Sequence, residues 1–158
     1  MKTSVSVAQV QMKIKPKIEE MIPQLLDGEI KKTAEAFLAY LKGKKHAPQY
    51  GSFNSWKISY KGKMLCYIKI VGDSWSVAFH LDSFADGFSD RFKKAMQDNL
   101  APCTACLKAC RKGIEVKVFE KQFANICHYW SIRFVNPTAE TLEYVKELIE
   151  YRKGLVYA

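Results

Sequence analysis

Several patterns that identify large functional classes are missing from this sequence. No apolar run reaches 18 residues, which excludes a transmembrane helix. Residues 1–9 hold one lysine and no apolar segment, so they do not resemble a signal peptide. A glycine-rich phosphate loop, a GxSxG elbow and an HExxH pair are also absent. We therefore expect a cytoplasmic protein without a membrane segment and without these common catalytic motifs.

The composition excludes a disordered chain and a disulfide scaffold. Hydrophobic residues make up 48% of the 158 residues and aromatic residues 13%. A chain of this length buries roughly 70% of its unfolded surface, so its core needs no staple. Five cysteines are an odd number, and in the cytosol we expect thiols, metal ligands or redox residues. With no repeats or linkers, we expect one domain over residues 1–158, in which residues 1–15 form a tail or an edge strand.

Arginine is missing from the first 72 residues, although this half carries most of the positive charge. It holds 13 lysines against 5 acids, whereas residues 73–158 hold 12 basic and 11 acidic residues, for a net charge of +9. Such a basic half could bind nucleic acid, an anionic surface or an acidic partner, although solvated lysines are common in basic proteins. Because arginine favours bidentate contacts with bases, we do not expect sequence-specific recognition.

A regular succession of helix and strand patterns fills the chain. Apolar residues recur at helical spacing between residues 18 and 41, where Pro23 and Asp27 separate two helices. Three alternating segments then predict a meander with turns at Lys61-Gly62 and Gly72-Asp73. The predicted segments that follow are a helix over 84–99, the cysteine segment, strands over 114–120 and 127–135, and a last helix after Asn136-Pro137.

This order, α-α-β-β-β-α-(Cys segment)-β-β-α, predicts the α+β class. The expected architecture is an antiparallel sheet of about five strands, formed by the three-stranded meander and the later pair, with helices packed on it. We expect residues 44–52 to be a loop and residues 121–126 to be a connector between the later strands.

The segment most suggestive of chemistry is a C-x2-C-x3-C run. Structural zinc takes four thiolate or imidazole ligands, and this run supplies three of them. The fourth could come from one of two adjacent residues further along the chain. The predicted metal ligands are Cys103, Cys106, Cys110, and Cys127 or His128.

Other interpretations of the same segment stay open. With Leu107, the cysteines form the i, i+3, i+4, i+7 stripe of a short helix between Pro102 and Gly113, and free cysteine packs as a small hydrophobe. Nearby positive charges could instead lower a thiol pKa and support redox chemistry, and an iron–sulfur cluster is a further option. Catalysis by Cys127 with His128 is not expected, because neighbours in a strand point to opposite faces.

Aromatic residues suggest two further sites. The basic and aromatic stretch of residues 50–63 could bind nucleic acid, although its aromatic side chains could equally form the core opposite solvated lysines. Alternatively, aromatics along the predicted sheet could line a pocket for a small apolar ligand. The candidate pocket residues are Trp56, Tyr67, Trp75, Phe79 and Trp130.

Two segments, residues 56–67 around the sequence Tyr-Lys-Gly-Lys and residues 142–153, carry a family resemblance. Together they resemble a bacterial family catalogued as domain of unknown function 3788 (DUF3788-like), over about residues 50–155. The element order is also similar to the small YdhG-like α+β fold. These resemblances imply an α+β fold and no catalytic residue.

Taken together, the sequence favours a small cytoplasmic binding or accessory domain that is non-catalytic and holds a structural zinc at the Cys103–Cys110 segment. The expected partner is a small apolar ligand or another protein. A basic nucleic-acid-associated module is the first alternative, and a thiol-dependent enzyme or redox protein is the second.

Overall fold

Within the part of the chain that the structure describes, seven strands in two antiparallel sheets form the centre of the fold. The computed structural model describes residues 6–104 and 112–156. The strands are β1 (Gln49–Ser52), β2 (Ser55–Tyr60), β3 (Lys63–Val71), β4 (Ser74–Phe79), β5 (Ile114–Val118), β6 (Lys121–Ile126) and β7 (Ile132–Val135). The main sheet has the order β1-β2-β3-β4-β7, and β5 pairs with β6 in the second sheet. The predicted α+β class with a five-stranded antiparallel sheet is confirmed.

Five helices accompany the sheets in the described ranges. They are α1 (Val7–Ile14), α2 (Ile18–Leu25), α3 (Gly28–Gly43), α4 (Asp90–Asp98) and α5 (Ala139–Val156). None of these five is long and apolar enough to cross a bilayer. The expectation of a tail or edge strand over residues 1–15 is wrong for residues 7–14. Helix α1 begins there because Ser6 and Gln9 satisfy each other's backbone N–H groups in a capping box.

One face of the main sheet is covered by α2, α3 and α5. Strand register places Trp56, Ile68, Val77 and Phe134 in one row across four strands, and each is at most 1% exposed. The Nε1–H of Trp56 donates a hydrogen bond of 2.9 Å to the Pro16 carbonyl. Helix α3 packs Phe37 against Trp75 with ring centroids 5.7 Å apart, and the apolar side of α5 supplies Leu142, Val145, Leu148 and Ile149. Hydrophobic burial on this covered face therefore holds the helices to the sheet.

The second sheet departs from the predicted pair of strands. Residues 121–126, expected to be a connector, form β6 and fold back onto β5. The turn between them has positive φ at Phe119 (48°) and Glu120 (71°), which matches a tight hairpin turn but lacks the usual glycine. Only residues 132–135 of the predicted strand 127–135 join the main sheet.

Residues 99–103 form a segment that links the two sheets. It bonds to β7 through the Arg133 N–H and the Asn99 carbonyl, at 2.8 Å. Its other end forms an isolated antiparallel bridge between Pro102 and Ile126. The two hydrogen bonds that flank this bridge involve the residues on either side of Pro102, namely the Cys103 N–H as a donor and the Ala101 carbonyl as an acceptor. Pro102 itself therefore occupies a position of the pairing that needs no N–H donor.

The long loop after β4 replaces the first part of the predicted helix 84–99. Ser89 caps α4, since its hydroxyl accepts the Phe92 N–H at 3.1 Å. The Tyr151 hydroxyl of α5 donates to the Ser83 carbonyl at 2.8 Å, and Arg152 pairs with Asp82. The loop is thereby attached to α5 rather than continuing as helix. The predicted loop 44–52 also differs, since its last four residues form the edge strand β1.

Candidate functional site

The face of the main sheet opposite the helices carries several exposed side chains, and we call it the open face. Because side chains alternate along a strand, residues between the core positions point to this side. Its members from adjacent strands are Lys57, Tyr67, Lys69, Ser76, Ala78, Arg133 and Val135. Lys57 and Lys69 are exposed, and Val135 keeps 59% of its surface accessible. Ala78 and Ser55, which lie on the same side, are buried, so this side of the sheet is accessible at its lysines and at Val135 rather than throughout.

The open face carries positive charge with little opposing charge. The five strands, all within the described residues, contain no aspartate or glutamate. Lys57, Lys69 and Arg133 form no ion pair within residues 6–104 and 112–156. Asp73 lies in the β3–β4 turn, at the end of the strands away from residue 79. Our sequence interpretation did not single out Lys69 and Arg133, although acid-free strands are visible in the sequence.

Three half-buried rings form an aromatic layer on this face. We use that name for Tyr67, His80 and Trp130. The Trp130 ring centroid lies 5.0 Å from that of Tyr67 and 4.7 Å from that of His80, with interplanar angles of 31° and 23°. The rings come from β3, the end of β4 and the loop before β7, so the layer exists only in the folded chain.

Local hydrogen bonds hold the loop that carries Trp130. The Trp130 N–H donates to the Cys127 Sγ at 3.4 Å, and the Ser131 hydroxyl donates to the Cys127 carbonyl at 2.8 Å. Segment 99–103 fixes both ends of the loop, because Ala101 donates to the Ser131 carbonyl and accepts from Cys127 N–H, each at 2.8 Å. Trp130 is thus positioned by a short, closed loop rather than by a strand.

The position of Tyr67 depends on the neighbouring edge strand. Its hydroxyl lies 3.0 Å from the Ser52 Oγ, within hydrogen-bonding distance. A Cβ on Gly51 would come within 2.9 Å of the same hydroxyl, so any larger residue would displace the ring. Strand β1 therefore contributes to the aromatic layer although none of its own rings belongs to it.

His80 adds no stable positive charge to the layer near neutral pH. Burial lowers the pKa of His80, and the nearby Arg152 guanidinium lowers it further, whereas a hydrogen bond to the backbone of Tyr129 has the opposite effect. The shift favours the neutral imidazole at pH 7. The positive charge of the open face comes instead from Lys57, Lys69 and Arg133.

The structure does not bring the five predicted pocket aromatics together. Trp56, Trp75 and Phe79 lie on the covered face and are at most 2% exposed, whereas Tyr67 and Trp130 lie on the open face. The gap beside Trp75, between α2, α3 and the sheet, does not admit a water-sized molecule. The expected apolar ligand pocket is therefore not formed by this set, because three of its members fill the core.

The predicted metal ligands are only partly within the described residues. Cys106 and Cys110 lie outside them. Cys103 and Cys127 come from the two segments that meet at the Pro102–Ile126 bridge, where Cys103 N–H donates to the Asn125 carbonyl at 2.8 Å. Such diagonal neighbours in an antiparallel pair have Cα atoms about 7–8 Å apart. We call this arrangement the cysteine ladder.

His128 has an unusual environment beside the cysteine ladder. Its Nδ1 atom is buried and has no hydrogen-bond partner among the described residues. Within those same residues, no group of three or more His, Cys, Asp or Glu side chains converges as a metal site would require. The ladder therefore brings Cys103 and Cys127 to neighbouring segments, and a complete ligand set is not formed by the described residues alone.

Cys66 is chemically different from the ladder cysteines. It lies on the covered face, is 1% exposed, and pairs across the sheet with Ile58. Burial raises the pKa of its thiol to about 12, although the Arg152 guanidinium acts in the opposite direction. Cys66 is therefore a core residue and a poor nucleophile.

A groove of about 630 Å³ lies between the long loop and the β5–β6 hairpin. Its charged lining residues are Asp82, Asp86, Asp90, Lys93, Lys117 and Glu120. The carboxylates outnumber the lysines, and Asp82 is already paired with Arg152. The lining charge contrasts with the acid-free strands of the open face.

Comparison with protein-family models, with curated proteins and with solved structures finds no match for this chain. The resemblance to domain of unknown function 3788 and the looser one to the YdhG-like fold therefore stay predictions.

Proposed function

We propose that this chain is a non-catalytic accessory domain that binds nucleic acid through the open face. The observation that carries the proposal is the combination of Lys57, Lys69 and Arg133 with half-buried aromatic rings on a sheet whose strands lack acids. Polyanions bind such surfaces through release of counterions, and aromatic rings on a sheet can contact bases. We place this binding in the cytoplasm, as the sequence predicts.

The types of cation on the open face support sequence-independent binding. Two of the three are lysines, whose ammonium groups act as point charges toward phosphate rather than as bidentate readers of bases. The net charge of +9 adds a long-range attraction that speeds encounter with a polyanion. We therefore expect moderate affinity with strong salt dependence.

Anisotropy of a fluorescein-labelled, mixed-sequence 20-nucleotide DNA strand tests this proposal. Lys57→Glu and Lys69→Glu should each weaken binding about tenfold at 50 mM salt, because each replaces an attraction to phosphate by a repulsion. Lys42→Glu is the matched control, since Lys42 is an exposed lysine of α3 on the covered side. It makes the same change of charge away from the open face.

Equal weakening by all three variants would show that only net charge matters and would contradict a defined binding face. Absence of salt-dependent binding by the unmodified protein would contradict the proposal altogether. Circular dichroism melting of each variant checks folding, which should be unchanged for Lys57 and Lys69, exposed lysines without ion pairs in the described part of the chain. Lys42→Glu should cost a few tenths of a kcal/mol, because Lys42 lies in the last turn of α3, where the helix dipole favours a cation.

A structural zinc remains our second proposal, and the cysteine ladder and His128 favour it. The ladder brings Cys103 and Cys127 to neighbouring segments, and the unpartnered Nδ1 of His128 is an atom that can bind zinc. The zinc would be held by Cys103, Cys106 and Cys110 together with Cys127 or His128. Its role would be to fasten segment 99–113 to the loop that carries Trp130.

Metal analysis of protein purified without chelator tests the zinc proposal. We expect one equivalent of zinc, lost in Cys103→Ser and kept in Cys66→Ala, since Cys66 lies buried on the covered face. No stoichiometric metal in the unmodified protein, or equal loss in both variants, would contradict it.

A further inference from the structure

The aromatic layer gives the open face a property that its positive charge alone does not explain. Resting on the proposed function, we infer that the open face selects unpaired, single-stranded nucleic acid by stacking bases on Tyr67 and Trp130. Both side chains are half-buried and their rings contact each other, so a base would stack on the ring surface that this contact leaves accessible. Every base has a π-face, so such stacking does not require a particular sequence.

Cations surround the aromatic layer within the reach of one short strand. Lys57 lies directly opposite Tyr67 on β2, and Lys69 lies two residues along β3. Arg133 lies in the same row as Tyr67 but two strands away, with Ala78 between them. Two strand spacings separate their backbones by about 9–10 Å. A chain whose bases contact the layer can therefore place its phosphates against charges on both sides.

The arrangement favours single strands over duplexes. In a duplex the bases are stacked on each other and paired, so their faces cannot reach a ring on a flat sheet. Reading a duplex requires an element that enters a groove, usually a helix or a two-stranded ribbon. The open face is formed by the middle of a five-stranded sheet and presents rings and lysines rather than such a projection.

The tryptophans of this chain provide a direct optical probe. Trp56 and Trp75 are 1% and 2% exposed on the covered face, whereas Trp130 belongs to the aromatic layer. Base stacking should therefore quench the fluorescence of Trp130 and leave that of the other two unchanged. The probes are a 12-nucleotide oligothymidine, an abasic strand with the same number of phosphates, and a 12-base-pair duplex.

We expect oligothymidine to bind roughly tenfold or more tightly than the abasic strand, because each stacked base adds substantial affinity. Contacts with three cations predict that log K falls with log salt concentration with a slope of about −2 for both strands. Quenching should accompany binding of oligothymidine alone. The duplex should bind more weakly than oligothymidine at the same salt concentration.

Two variants separate stacking from charge. Trp130→Phe should retain binding within roughly threefold and abolish the quench, since a smaller ring still stacks. Tyr67→Leu should remove most of the preference for oligothymidine over the abasic strand and leave the salt slope unchanged. Lys57→Gln should do the reverse, lowering the slope by about 0.7 and leaving the preference intact.

The outcomes distinguish this inference from the function on which it rests. If the abasic strand and oligothymidine bind equally, or if the duplex binds more tightly, selection by stacking is overturned while nucleic-acid binding stands. If none of the three probes binds, both proposals fail. A Trp130→Phe protein that still shows the full quench would also overturn the inference, because the signal would then come from the buried tryptophans.

Discussion

The two faces of the main sheet are formed by alternate residues of the same strands, yet they differ in charge and in exposure. Trp56 and Lys57 are neighbours in sequence, but one is 1% exposed beneath the helices and the other is exposed to solvent. On β4, Val77 faces the core and Ser76 the open face. The covered face therefore supplies stability, whereas the open face keeps charged side chains in contact with solvent.

Tryptophan shows how position decides the role of a residue type. Trp56 and Trp75 are anchored in the core, where Trp56 donates to the Pro16 carbonyl and Trp75 packs against Phe37. Trp130 instead contacts Tyr67 and His80 on the open side, held there by a loop.

Trp56→Ala should destabilise the protein by about 3–5 kcal/mol, because it leaves a cavity under α2 and removes a buried hydrogen bond to Pro16. Trp130→Ala should cost less than half as much, since this ring is half-buried and its contacts are stacking pairs worth about 0.5–1.5 kcal/mol each. Urea denaturation measures both. Equal losses would show that the open face is as important for stability as the covered one.

Cysteine labelling gives a second large contrast. Because burial raises the pKa of Cys66 to about 12, it holds roughly a thousandfold less thiolate at neutral pH than a free thiol. Alkylation followed by peptide mass spectrometry should label Cys66 last, after Cys103 and Cys127, which are half-buried. Rapid labelling of Cys66 in folded protein would contradict its place in the core. One ladder cysteine reacting far faster than a free thiol would instead support the thiol-enzyme alternative.

A matched pair of valines compares the faces without changing residue type. Val77→Ala should cost about 2 kcal/mol, since Val77 is 0% exposed and the change removes two buried methyl groups. Val135→Ala should change stability by no more than about 0.5 kcal/mol, because Val135 is 59% exposed. Both lie in adjacent strands, so thermal and urea melts compare them directly. A large loss at Val135 would indicate that this end of the open face is covered.

The smallest expected effect is a dependence of stability on pH from two histidines. Burial lowers the pKa of His46 and that of His80. The positive charge of Lys153 lowers the pKa of His46 further. The unfolded chain then binds protons more readily than the folded one, so stability is full above about pH 6.5 and falls as the pH decreases below it. Melting temperatures between pH 5 and 8 measure this.

Glutamine variants of the two histidines separate their contributions. His46→Gln and His80→Gln should each flatten part of the decrease below pH 6.5, because glutamine does not titrate in that range. The same decrease in a double variant would mean that other groups cause it. His80→Gln should also alter the fluorescence of Trp130, whose ring lies 4.7 Å from the imidazole.

Local patterns predicted much of the fold. The meander of β2, β3 and β4 was visible as alternating segments, although a bulge interrupts the pairing of β2 with β3 after Ile58. The inward residues Leu142, Val145, Leu148 and Ile149 of the last helix are all buried as expected. The errors fall where local signals are weak. The β5–β6 turn uses Phe119 and Glu120 at positive φ without glycine.

The candidate site was less predictable than the fold. The alternation along β2 predicted that Lys57 and Trp56 point to opposite faces of the sheet. No local sequence pattern showed that a loop would bring Trp130 to the same face as Tyr67. The five-aromatic pocket was wrong for the same reason, because membership of a face depends on which strands pair and in which register. Cys103 and Cys127 likewise meet only through the Pro102–Ile126 bridge.

The sequence by itself determined most of the helical and extended segments, the positive charge and the apolar side of most strands, since these depend on residue type and on spacing of two or 3.6 residues. Only the tertiary structure decided which side of the sheet the helices cover. It alone brings residues 67, 80 and 130 together in one layer. Those juxtapositions arise from pairing between segments distant in the chain, where burial of one face against the helices leaves Lys57, Lys69, Arg133 and the aromatic layer on the other.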